Sequence, residues 1–309
     1  MPKTATTPLL TPEFMSSLDR LDVRSRKMLR GTVQGERRSK KRGASVEFAD
    51  YRNYVVGDDL RRIDWNLYAR LDKLFLRLFM EEEDLSVSLV LDVSGSMDYG
   101  DPNKLLYAKR MVAALGYVAL THYNRLNLYS FSDTVLEQRT GMRGRRPVPE
   151  MLAFLEGQQP GASGAVRGDL AAACRRLSAV QQKPGIVVLV SDFWDKPSIE
   201  KGDVSDALKY LAGEKYDGYA VQLLSPQEVD PTRGGVVGDL RLTDLEDGDT
   251  AEVSVSKALL AKYQANLEAY CQSVRAACTN RGLSYLAATT DVPVERVVLT
   301  YLRERGLLG

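Results

Sequence analysis

The sequence predicts an α/β protein built on a doubly wound, mainly parallel sheet. Two observations carry that reading. From residue 85 onward, short apolar runs alternate with stretches of helical periodicity, the pattern of strands joined by crossover helices. Two of the runs, VSLVL (Val87–Leu91) and IVVLV (Ile186–Val190), are apolar almost throughout, as strands covered on both faces must be. A chain of 309 residues suits one large domain with an accessory segment, or two modest domains.

Taken in order, residues 12–22 predict a short helix with Thr11 as its cap and Phe14, Met15, Leu18 and Leu21 on one side. A basic stretch, Arg24 to Arg42, holds nine Lys/Arg and one acid, Glu36. Residues 46–73 are polar, aromatic and dense in Arg and Asp, and 74–80 (LFLRLFM) look like a strand before the acidic step Glu81 to Asp84. Strands follow at Val87–Leu91, Leu126–Phe131, Ile186–Val190, Tyr219–Leu224 and Leu283–Ala288. Helices are expected at 103–121, near 148–157, and at 169–180, 203–212, 256–280 and 293–304, with an Arg/Gly loop from Gly141 to Arg146. Residues 236–255 read as a hairpin turning at Glu246-Asp247-Gly248-Asp249. The domain reading is an N-terminal accessory segment, 1–80, and an α/β domain, 81–309, with a hairpin insertion at about 226–256.

Composition narrows the function. The formal net charge of +1 selects no partner class. No apolar run reaches the roughly 18 residues a membrane helix needs, and the N-terminus lacks the apolar region of a signal peptide. Cys174, Cys271 and Cys278 are too few and scattered for a disulfide framework. Together these features predict a cytoplasmic protein without membrane insertion. His122 sits at a helix end and reads as structural. The sequence holds no Walker motif and no nucleophile elbow. The basic stretch lacks the interleaved aromatics that stack on bases, so nucleic acid is a weak expectation and a partner-facing arm a better one.

Ligands of open α/β sheets bind outside the carboxyl ends of the strands. After VSLVL comes Asp92-Val93-Ser94-Gly95-Ser96, and after IVVLV comes Ser191-Asp192. Residues two apart in an extended turn point the same way, so Asp92, Ser94 and Ser96 can aim three oxygens at one point while Gly95 lets the backbone bend. Oxygen-only ligation selects a hard cation, Mg²⁺ or Mn²⁺. This Asp-x-Ser-x-Ser arrangement resembles the metal-ion-dependent adhesion site of von Willebrand factor A domains, which have a Rossmann-type sheet. The resemblance implies that Ser94 and Ser96 are direct ligands and that Asp192 matches an aspartate from a third loop. It also implies a threonine from a second loop, where this chain has Gly168. Ser163 or Asp169 can substitute there, or a water can fill the position.

The stretch Tyr51 to Trp65, continuing to Arg70, alternates Arg and Asp around aromatics, so guanidinium–carboxylate pairs and Arg–aromatic stacking are expected in it. Its distinctive residues are Arg52, Tyr54, Gly57, Asp58, Arg61, Asp64, Trp65 and Arg70. With the Asp-x-Ser-x-Ser strand, Gly238–Glu246 in the hairpin and Tyr285, the chain resembles the family called domain of unknown function 58, in a branch without membrane helices. The resemblance covers about Gly43 to the C-terminus. It implies partnership with MoxR-type AAA+ ATPases and no established reaction.

Three functions follow in order of preference. The first is a non-catalytic interaction module, an adaptor or co-chaperone whose bound cation takes a partner's Asp or Glu. The second is a metal-assisted hydrolase or phosphatase at Asp92 and Asp192, with Asp98 the nearest candidate base. The third is nucleic-acid binding through the basic arm.

Overall fold

A computed structural model describes residues 8–25, 48–56, 58–79, 85–132, 136–161, 170–180, 184–194, 204–212, 216–236, 238–243 and 250–309. The chain divides into two compact units, one of Met1–Val33 with Leu85–Gly309 and the other of Gln34–Asp84. Helix α1 (Pro12–Leu18) opens the larger unit, capped by the Thr11 hydroxyl accepting from the Phe14 amide at 3.3 Å. Phe14 and Leu18 of α1 are buried in the core of that unit. The residues after α1 pair antiparallel with the C-terminal residues, the Asp22 and Gly309 amides each donating to the other's carbonyl at 3.0 and 2.9 Å. The sequence groups this helix with the accessory segment; burial of its apolar face places it instead in the larger unit.

The smaller unit holds strand β1 (Phe48–Asn53), helix α2 (Trp65–Leu71) and strand β2 (Phe75–Phe79), with β1 and β2 antiparallel. Two aspartates of the Arg/Asp-dense signature serve as caps. Asp59 Oδ1 accepts from the Arg61 amide, and Asp64 Oδ1 accepts from the Asn66 and Leu67 amides. Asp64 Oδ2 also accepts from the Tyr51 hydroxyl at 2.9 Å. The expected guanidinium–carboxylate pairing appears between Arg52 and Asp58 at 2.9 Å. The Trp65 ring meets the Tyr68 ring edge-on. Acids here are drawn to backbone amides at helix starts, which no pattern of alternating charge reveals. Gly57 lies outside the described residues.

The larger unit is wound on six strands: β3 (Ser86–Asp92), β4 (Arg125–Phe131), β5 (Leu136–Met142), β6 (Gly185–Ser191), β7 (Tyr216–Leu224) and β10 (Ser284–Thr289). Their spatial order is β10-β7-β6-β3-β4-β5, parallel throughout except for β5. A two-stranded antiparallel sheet, β8 (Gly238–Thr243) with β9 (Thr250–Val255), forms the expected hairpin, whose turn lies outside the described residues.

Helices cover both faces of the six-stranded sheet. One face packs α1, α3 (Lys104–Thr121), α4 (Val148–Gly157) and the C-terminal helical segment, two α turns (Val294–Arg296 and Leu302–Glu304) joined by a π-helical stretch (Val297–Tyr301). The other packs α5 (Leu170–Val180), α6 (Ser205–Leu208) and α8 (Lys257–Asn280); α7 (Pro226–Val229) follows β7. The strands divide between these layers with period two. In β6, Ile186, Val188 and Val190 enter one core while Val187 and Leu189 enter the other.

Two elements depart from the sequence pattern. Strand β5 runs into the expected Arg/Gly loop, because its Glu137, Gln138, Arg139 and Thr140 are exposed on an edge and carry no apolar period. The helix expected at 203–212 is a single turn, α6. Among the described residues, no helix is long and apolar enough to cross a membrane.

Candidate functional site

From β3 the chain moves to β4, whereas from β6 it moves the opposite way, to β7. The carboxyl ends of β3 and β6 therefore flank a switch point, where open sheets form crevices. Register brings the polar residues there into a row. Leu91 faces Val190, so Asp92 ends β3 level with Ser191, and Ser191 in turn faces Gln222.

Asp92 is buried, and both of its oxygens are engaged. Oδ1 accepts from the Ser94 amide at 2.9 Å, and Oδ2 accepts from the Ser191 hydroxyl at 2.6 Å. The Ser94 and Ser96 hydroxyl oxygens lie 3.1 Å apart. The sequence-predicted residues Asp92, Ser94, Ser96 and Asp192 thus share one rim. Gly161 closes against the turn, its amide donating to the Val93 carbonyl at 2.7 Å. The residues after it, Ser163 and Asp169 included, lie outside the described residues.

The described start of the loop after β6, Ser191 to Trp194, is tightly specified. Phe193 is buried with a positive φ of 63°, a conformation that strains a bulky residue by of order 1–3 kcal/mol. Neighbouring groups hold it there. The Ser191 hydroxyl accepts from the Phe193 amide at 2.9 Å, and Asp192 Oδ1 accepts from the Trp194 amide at 3.0 Å. The Tyr270 hydroxyl donates to the Phe193 carbonyl, and the Trp194 ring stacks on Tyr270 with centroids 5.3 Å apart. Gln222 Nε2 donates to the Asp192 carbonyl, and Gln222 Oε1 accepts from Tyr285.

Two central residues escape a reading of the sequence. Lys104, the first residue of α3, is fully buried, its ammonium 2.6 Å from Asp192 Oδ2 and 2.5 Å from Glu228 Oε1. A cation at a helix N-terminus opposes the helix dipole, so this placement relies on the two carboxylates. They outweigh burial and raise the Lys104 pKa. Glu228 is itself fixed by a capping box with Ser225 and by the Trp194 indole N–H at 3.0 Å. Its signature, Ser225-Pro226-Gln227-Glu228, is present in the sequence. Lys104 has no comparable signal, since a lysine beginning a helix ordinarily faces solvent. Asp98, the nearest candidate base, accepts from the Asn103 side chain at 2.9 Å and so braces the cap of α3.

The donor set fits a hard cation. Ligands at adjacent vertices of a Mg²⁺ octahedron lie about 3 Å apart, which matches the spacing of the two hydroxyls. Among the described residues no group of three or more His, Cys, Asp or Glu forms a metal cluster. Burial, then the neighbouring Asp192, pushes the Asp92 carboxyl up to about 6. Its folded pKa lies above its usual 3.8, so stability falls as pH rises from about 4 to 6 and the penalty is complete above that window. A shift of that size corresponds to about 3 kcal/mol at most. Asp92→Asn, which forfeits part of the hydrogen bonding, is expected to stabilise the protein in EDTA at pH 7.5 by about 1–2 kcal/mol. The gain should vanish below pH 4. Denaturant unfolding at both pH values checks this; equal effects at the two would show that the Asp92 charge is not the cause.

The chain is 28% identical over 309 residues to the uncharacterized protein Rv1480 of Mycobacterium tuberculosis, covering 96% of this chain and 92% of that protein. It is also 28% identical over 157 residues to the uncharacterized protein MAV169 of Mycobacterium avium, covering 48% of this chain and 85% of that protein. Similar solved structures include the conserved hypothetical protein BatB from Bacteroides thetaiotaomicron, at a TM-score of 0.41 and 11% identity over 71% of this chain and 98% of that one. They also include the SpRpn10 VWA domain, at 0.38 and 9% over 70% and 93%. The family model described as "Protein of unknown function DUF58" matches residues 50–272, and the chain belongs to that family.

Proposed function

We propose that this protein is a non-catalytic interaction module that docks a partner protein at the rim formed by Asp92, Ser94, Ser96 and Asp192. The carrying observation is the 2.6 Å bond from the Ser191 hydroxyl to Asp92, which ties the ends of β3 and β6 together at one rim. In the proposal, Asp92, Ser94 and Ser96 hold Mg²⁺ or Mn²⁺, with Asp192 behind them. When bound, the cation supplies a Lewis-acid position for a partner's carboxylate. The residues of the chain orient that position: the Ser94 amide and Ser191 hydroxyl fix the Asp92 carboxylate, and the Phe193 turn fixes Asp192. The partner class proposed is a MoxR-type AAA+ ATPase, with this protein as its cytoplasmic adaptor or co-chaperone. That assignment draws on the family resemblance and on the strand-end acids.

The test is retention of the purified ATPase on immobilised protein in 5 mM Mg²⁺ (about this concentration saturates sites of millimolar Kd) against EDTA. Wild type should retain the ATPase at least about tenfold better with metal, and Asp92→Ala should abolish the difference. Equal retention in EDTA, or retention by Asp92→Ala, removes the metal-dependent reading.

A further inference from the structure

Lys104 brings a cation of the protein's own to the Asp192 end of the rim. Its ammonium bridges Asp192 Oδ2 and Glu228 Oε1, and its side chain is inaccessible to solvent. Glu228 Oε1 also accepts from the Trp194 indole and Oε2 from the Ser225 amide, so that acid cannot swing away from the pair. Asp192 in turn has its second oxygen taken by the Trp194 amide. The acid that would share the charge of a divalent ion is therefore already neutralised in part by an ammonium fixed to the start of α3.

We propose that Lys104 is a tethered counter-cation that competes with a divalent ion for Asp192, setting a weak metal affinity, and that Glu228 moderates the competition by sharing the ammonium. The inference rests on the divalent-ion reading of the rim. Its physical content is a sign. Removing the ammonium releases the whole charge of Asp192 to an incoming cation, whereas removing the charge of Glu228 concentrates the ammonium on Asp192. If Lys104 and Glu228 only brace the loops, both changes loosen the rim and both weaken binding.

The experiment titrates Mn²⁺ into the full chain at pH 7.5 and reads free Mn²⁺ by electron paramagnetic resonance, for wild type, Lys104→Met and Glu228→Gln. Circular dichroism verifies that each variant is folded. Lys104→Met is expected to bind roughly tenfold more tightly than wild type. Glu228→Gln, which keeps the shape but has a single acceptor oxygen where the acid accepts from the Ser225 amide on one side and from the ammonium and the indole on the other, is expected to bind several-fold more weakly. Should Lys104→Met fail to fold without metal, the double variant Lys104→Met/Glu228→Gln, which leaves one uncompensated acid instead of two, takes its place, and affinity at or below that of wild type overturns the proposal. Weaker or unchanged binding by folded Lys104→Met also overturns it, while the divalent-ion reading stands if wild type binds. Absence of Mn²⁺ binding in wild type and both variants removes that reading and the proposal with it.

Discussion

Replacing Lys104 by methionine is expected to destabilise the metal-free protein by about 3–5 kcal/mol at neutral pH, the loss seen when one partner of a buried ion pair is removed. Methionine preserves the apolar stem of the lysine, so little of the loss comes from packing. What remains is electrostatic. Asp192 and Glu228 have side chains only 1% and 12% exposed, and the variant leaves both acids without their shared ammonium. Denaturant unfolding in EDTA measures the effect. Adding Asp192→Asn to Lys104→Met should recover more than about 1.5 kcal/mol, the non-additivity expected of residues in direct contact. A loss below about 1 kcal/mol for Lys104→Met, or strict additivity in the double variant, would mean that the ammonium is not the counter-charge of this crevice.

The second large effect lies in the sheet that carries the site. Gly185 opens β6 opposite Ser86 of β3. A Cβ built on it would stand 2.0 Å from the Ser86 carbonyl oxygen and 2.9 Å from the carbonyl carbon. Neither atom belongs to a side chain that can rotate away, so Gly185→Ala must part the two central strands at their amino ends. The lower entropy of the unfolded alanine chain offsets only about 0.4–1 kcal/mol, and a net loss of about 3 kcal/mol or more is expected, the upper part of the overpacking range. Gly157 at the end of α4 is the control, since a Cβ there meets nothing within 4 Å. Gly157→Ala should change stability by less than about 1 kcal/mol. Equal behaviour of the two variants would contradict the close approach of β3 and β6.

The sequence by itself determined the layered architecture and one side of the site. Apolar runs such as VSLVL and IVVLV can be satisfied only by burial on both faces, which requires a parallel sheet between helices. The position of Asp92, Ser94, Ser96 and Asp192 just beyond those runs then places them on the carboxyl rim. The edge strand Leu136–Met142 was not legible, because a half-exposed edge needs no apolar period, and the true place of α1 depended on which core received Phe14 and Leu18. Tertiary structure alone decided the electrostatics of the crevice. Asp92, Lys104, Ser191 and Glu228 come from four separate stretches of chain, and only the strand register and the start of α3 bring them together. A lysine's hydration free energy is too large to forgo without compensation, so its burial could be recognised only once two carboxylates distant in sequence were seen to surround it.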